Sequence, residues 1–124
     1  MASIASVFEK FRAELPHFVS ADVVEIDSGM SIGGVAADPK FDAAAASACY
    51  AEVVKANARA LDLLGIGAGA CEDVLITTGP AYILIRMIGP HHFLGVAIGR
   101  QATLGFARTL MQRFAPQFLQ AISG

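Results

Sequence analysis

The chain has 124 residues, 55% of them apolar and 16% charged, with a formal net charge of −2. That length fits one domain spanning residues 1–124, and the charge excludes the basic surface that nucleic acid requires. An average globular domain carries about 25% charged residues, so the apolar surface here exceeds what one small core hides, and a dimer or larger oligomer is expected.

Ile4, Val7, Phe8, Phe11 and Leu15 recur at steps of three and four, which predicts an amphipathic helix closed by Pro16. Glu9, Lys10, Arg12 and Glu14 interrupt the segment. It therefore lacks the basic start and unbroken apolar core of a signal peptide, and nothing else approaches the ~20 apolar residues that span a bilayer. A cytoplasmic protein without a membrane partner is expected. Residues 19–27 and 30–36, separated by Ser28-Gly29, predict a hairpin, with Gly33-Gly34 marking a bulge or a close backbone approach.

After Asp38-Pro39, Asp42 is positioned to cap a long alanine-rich helix reaching Leu64. Gly65, Gly67 and Gly69 make a connector. Residues 71–78, 81–88 and 92–99 predict a three-stranded meander turned at Gly79-Pro80 and Gly89-Pro90-His91. The central strand is apolar almost throughout, apart from Arg86, so helices should cover both faces of the sheet. The last helix begins near Thr103, with Leu104, Ala107, Leu110, Met111, Phe114, Phe118 and Ile122 on one side. Pro116 should kink or interrupt it.

The long helix is the most informative element. Glu52, Lys55, Arg59 and Asp62 fall on one narrow edge, either a solvated face or a docking edge for a partner. Tyr50, Val53, Val54, Leu61 and Leu64 form a bulky sector suited to a sheet. Ala45, Cys49, Ala56 and Ala60 form a smooth sector, read either as plain helix propensity or as a face where a partner helix comes close. Asn57 either bonds the backbone locally or pairs across a two-fold axis.

Catalytic and cofactor chemistry is poorly supported. The run from Gly65 to Ala70 follows a helix and precedes a strand, so it would offer carbonyls where a phosphate needs N–H groups. His91 and His92 are adjacent, point to opposite faces in a strand and make poor joint ligands for a metal. His17, at the end of the first helix, has a structural reading. Cys49 and Cys71 read as free buried thiols, and Glu72 and Asp73 would blunt Cys71 as a nucleophile. Arg86 and Arg100 either pair or snorkel locally, or recognise a partner. No enzyme, cofactor or metal site is expected.

Residues 16–29, with their Asp27-Ser28-Gly29 hairpin, resemble the opening strand and Asp-x-Gly turn of the Roadblock family of dynein-light-chain-type proteins. The alanine-rich helix from Asp42, the run Asp73-Val74-Leu75-Ile76-Thr77-Thr78-Gly79, and Thr103-Leu104-Gly105-Phe106-Ala107-Arg108 are similar to that family in order and spacing. The resemblance implies an α/β domain of the α+β kind, ordered α-β-β-α-β-β-β-α, with a central antiparallel five-stranded sheet between helices as in profilin. It also implies a homodimer formed by the long helix and third strand, here through Ala45, Cys49, Val53, Ala56, Ala60, Val74 and Ile76. Roadblock-like proteins scaffold or regulate Ras-like small GTPases and are generally not enzymes. The expected function is a non-enzymatic homodimeric module docking such a GTPase or a related signalling protein through Glu52, Lys55, Arg59 and Asp62. The alternative is a sensory module holding a small ligand near Arg86 or the His91-His92 tip.

Overall fold

The computed structural model describes residues 2–40 and 43–123. The elements are α1 (Ile4–Glu14), β1 (Phe18–Glu25), β2 (Ser31–Ala36), α2 (Ala43–Leu63), β3 (Asp73–Thr77), β4 (Ala81–Ile88), β5 (His92–Gly99) and α3 (Leu104–Ser123), with a short 3-10 turn at Ala68–Ala70. Their order is the expected one. The Asp42 cap lies outside the described residues.

The strands form one five-stranded sheet ordered β2-β1-β5-β4-β3, every neighbouring pair antiparallel. The N-terminal hairpin thus joins the C-terminal meander through β1 and β5, which leaves β2 and β3 as the two edges. Both faces are covered. α1 and α3 lie on one face over a cluster that includes Val7, Phe8, Phe11, Val23, Leu84, Leu94, Phe114 and Phe118. α2 covers the other through Ala51 and Val54, which meet Val24, Ile85 and Phe93.

The first helix is set by its ends. Ser3 accepts from Ser6 N at its start, one of the free donors that every helix N-terminus leaves. It stops at Leu15, before Pro16, whose ring disfavours helix in the residue it follows. His17 then takes a left-handed φ of +60°, and its carbonyl accepts from Gly99 N at 2.9 Å, locking the reversal onto the end of β5.

The hairpin turns as expected at Gly29, φ +72°, where Gly29 N donates to Glu25 O at 2.8 Å. A Cβ there would meet the Ala48 backbone at 3.2 Å, so the turn is also where α2 packs down on the hairpin. The pairing of β1 with β2 shifts register between Val23 and Val24, the irregularity that the paired glycines predict.

Of the two expectations for Pro116, interruption does not occur. The helix passes through Pro116 without interruption. Pro116 is exposed, and so is Gln112 one turn back, whose carbonyl loses its helical donor and faces water. Phe114 and Phe118, buried on either side of the proline, hold the helix on the sheet. The ring is tolerated because its cost falls on the solvated side.

Candidate protein-interaction face

α2 is a helix of which one side only is used by its own subunit. Its buried residues are Ser47, Ala51 and Val54, none of them beyond the middle turn. This corrects the expectation for the bulky sector. Val54 is buried and Tyr50 packs at the edge of the core, but Val53 and Leu64 point outward, 39% and 71% exposed. The side opposite the core carries Ala45, Cys49, Val53, Ala56 and Ala60, all exposed, and continues into Leu63 at 89% exposure. Cys49 is thus an exposed thiol, against the expectation of burial.

β3 adjoins this helix as a sheet edge. Val74 and Ile76 are half-buried and back onto the core beneath α2, so their side chains are shared between that core and the open edge. Leu75 points to the opposite face and is 36% exposed. The edge therefore presents unpaired backbone groups and apolar side chains, a composition that invites another strand.

The charged edge of α2 divides by duty. Lys55 Nζ pairs with Glu52 at 3.1 Å and donates to Asp27 O at 3.2 Å, tying the helix to the hairpin. Asp62 Oδ1 accepts from Ala68 N at 2.8 Å and anchors the glycine connector. Arg59 is exposed and, of the four, is the one whose charge has no such internal task among the described residues.

The remaining singled-out residues have local roles. Asn57 reaches across to the next segment: its Nδ2 donates to Cys71 Sγ at 3.3 Å, tethering α2 to the stretch leading into β3. Arg100 donates to Thr78 O at 2.6 Å and lies 4.8 Å above the Tyr82 ring, so no carboxylate is involved. Arg86 stands opposite Asp73 in register. Arg108 takes that carboxylate at 3.2 Å, which leaves the buried Nε of Arg86 without a hydrogen bond. His91 lies exposed at the tip before β5 and His92 opens the strand. No grouping of His, Cys, Asp and Glu fit to hold a metal occurs among the described residues, and none of their helices is long and apolar enough to cross a membrane.

Two features were not visible in the sequence. A cavity of about 460 Å³ opens beneath the second half of α2, between Val54, Asn57 and Ala58 above and Ile26, Val74, Ile85 and Met87 below. It exists because the helix beyond Val54 inserts no buried side chain into the sheet. The second is Asp22, whose carboxyl is hydrogen-bonded to Ser47 across the interface between β1 and α2. An acid set between Ala21 and Val23 in mid-strand was the available signal.

No protein-family model matches this sequence, and no curated protein matches it. Solved structures do. A Roadblock/LC7 domain from Streptomyces avermitilis superposes with a TM-score of 0.87 at 17% identity, covering 99% of this chain and 100% of that one. MglB of Myxococcus xanthus gives 0.86 at 14% identity over 97% and 94%, and a structure described as MglB with tetrameric arrangement gives 0.86 at 17% over 97% and 88%. The chain has the Roadblock/LC7 fold.

Proposed function

We propose that this chain is a non-enzymatic homodimeric scaffold or regulator, built to dock a Ras-like small GTPase or a related signalling partner. The observation that carries the dimer is the outward side of α2. It is apolar from end to end and graded in size, with Ala45 and Cys49 at the start, Ala56 and Ala60 beyond the middle, and Leu63 and Leu64 at the finish. A second α2 laid antiparallel sets the bulky end of each helix on the smooth end of the other, whereas a parallel copy sets leucine against leucine. Val53, Val74 and Ile76 extend the contact, and the β3 edges meet alongside.

The GTPase assignment rests on the Roadblock-like motifs and on the fold they share. Paired α2 helices form a platform whose edge carries Glu52, Lys55, Arg59 and Asp62, with Arg59 the charge available to an acidic partner surface. Such a platform acts on a switch protein by binding one of its conformations better than the other. Light scattering on the eluting protein at micromolar concentration tests the first part, and a monomer there overturns it. Pull-down with GTP- and GDP-loaded small GTPases of the same cell tests the second. Capture of one nucleotide state, lost in Arg59→Glu, is the expected result, and capture of neither overturns the assignment.

The cavity beneath α2 favours one other reading, a sensory module for a small ligand. Its volume lies within the range of small-molecule sites and its floor is apolar. Arg86, expected beside such a ligand, lies instead on the opposite face with Asp73 and Arg108.

A further inference from the structure

Asp22 sits in mid-strand on the face that α2 covers, and the residue opposite it on each neighbouring strand is a glycine: Gly34 on β2 and Gly95 on β5. Both absences of a side chain are needed. A Cβ on Gly34 would lie 2.8 Å from the Asp22 Cβ, and one on Gly95 would lie 3.2 Å from Asp22 Oδ1. The row Gly-Asp-Gly across three strands clears a space in which the carboxyl rises to α2, and there Oδ2 is hydrogen-bonded to Ser47 Oγ. Ser47 is itself 3% exposed.

Counting hydrogens decides the state of this pair. Ser47 Oγ also lies 2.7 Å from the carbonyl oxygen of Ala43, one turn back in the helix. A hydroxyl carries one hydrogen, and a carbonyl oxygen can only accept. With the Ser47 hydrogen committed to Ala43, the contact with Asp22 needs a hydrogen on the carboxyl. An ionised Asp22 instead sets two acceptors against one donor, inside a partly buried site. Among the described residues lining it, none is a cation to offset the charge. α2 contributes Ser47 and Tyr50, β1 Ser20, β2 Gly34, and β4 and β5 the apolar Ile83, Phe93 and Ala97 beside Gly95. Tyr50 is the one other titratable group among these. Burial pushes the Asp22 carboxyl above its ordinary 3.8, and it outweighs the lowering that a Ser47 hydrogen donated to the ionised form would exert.

We propose that Asp22 is a proton-dependent latch: as the neutral acid it donates to Ser47 and seats the first half of α2 on the sheet, and on losing its proton it lets that half lift. The effect on pairing rests on the dimer reading above, because Ala45 and Cys49 ride on the turns that Ser47 anchors. The latch itself does not depend on it. The sign follows from proton binding. Between the ordinary carboxylate range and the raised pKa, the native state holds a proton that the unfolded chain has released. Stability therefore falls as pH rises through that window and is flat above it.

The test compares the whole chain with Asp22→Asn, which cannot ionise and whose amide still donates to Ser47. Hydrogen exchange of the α2 amides is followed from the ordinary carboxylate range, about pH 4, to about pH 8, corrected for intrinsic rates. Opening in the wild type should rise about tenfold for each pH unit crossed below the raised pKa, while Asp22→Asn stays protected throughout. Equal pH profiles in the two proteins overturn the latch, as does faster opening of Asp22→Asn at the acid end. Carbon NMR titration of the Asp22 carboxyl in the wild type gives a reading that needs no variant. A midpoint raised in step with the exchange profile supports the latch, and a midpoint in the ordinary carboxylate range overturns it. Light scattering at the same pH values separates the two proposals, since a monomer with a working latch removes the dimer reading alone.

Discussion

The two faces of the sheet are built to different standards. Under α1 and α3, aromatic rings interlock: Phe8 and Phe118 lie 4.8 Å apart between centroids, and Phe11 meets Phe114 edge-on at 5.3 Å. Under α2 the buried residues of the helix are a serine, an alanine and a valine, one half-buried carboxyl meets the serine, and a cavity fills the remaining span. The first face carries the domain's stability. The second holds a helix whose outer surface is kept for something else, and it is seated lightly enough for its position to respond to conditions. Large rings in a closed core tolerate little movement, whereas a helix resting on small residues over an unfilled space can shift at modest cost.

Substitutions on the two sides should therefore differ in size. Phe118→Ala empties the centre of the aromatic cluster and is expected to cost about 3–5 kcal/mol in urea unfolding, a large share of a domain's usual stability. Ala56→Arg, in the middle of the outward side of α2, should leave the monomer's fold intact while placing a charge in the paired-helix contact. A dimer dissociation constant weakened about a hundredfold in light scattering, with unchanged far-ultraviolet circular dichroism, is the expected outcome, and an unaltered dimer would show that this side is not the contact. Val54→Ala removes two carbons beside existing empty space, and about 1–2 kcal/mol is expected by the same unfolding assay. A loss as large as that of Phe118→Ala would mean that the two faces are equally tight.

The smallest effect belongs to Asp62→Ala, which frees Ala68 N at an exposed position. About 0.5–1 kcal/mol is expected, with faster exchange confined to the connector.

The elements themselves could be read from the sequence because each carries strong local contrast. The stripe Ile4, Val7, Phe8, Phe11 cannot be mistaken for a strand, and Ser28-Gly29, Gly79-Pro80 and Gly89-Pro90 mark the turns at which the chain does reverse. The orientation of α2 was harder, for a physical reason. In an alanine-rich helix the difference in hydrophobicity between faces is small, so Val53 and Leu64, outward in the structure, were indistinguishable from Val54. Asp22 escaped notice because its partner is 25 residues away, and its two glycines lie on strands whose register no local pattern specifies. Pro116 does not interrupt its helix because propensity weighs a residue without its neighbours, and here the buried Phe114 and Phe118 outweigh the missing donor.

The two borders of the sheet are not alike. β3 pairs with β4 in unbroken register over its whole length, while β2 carries a register shift opposite Val23 and Val24 and two consecutive glycines. In the proposed pair a twin joining at the straight border would bury it and leave the crooked one at either extremity of the doubled sheet. Growth would then halt at a pair rather than run on as a ribbon, because the next copy would find no template flat enough to extend.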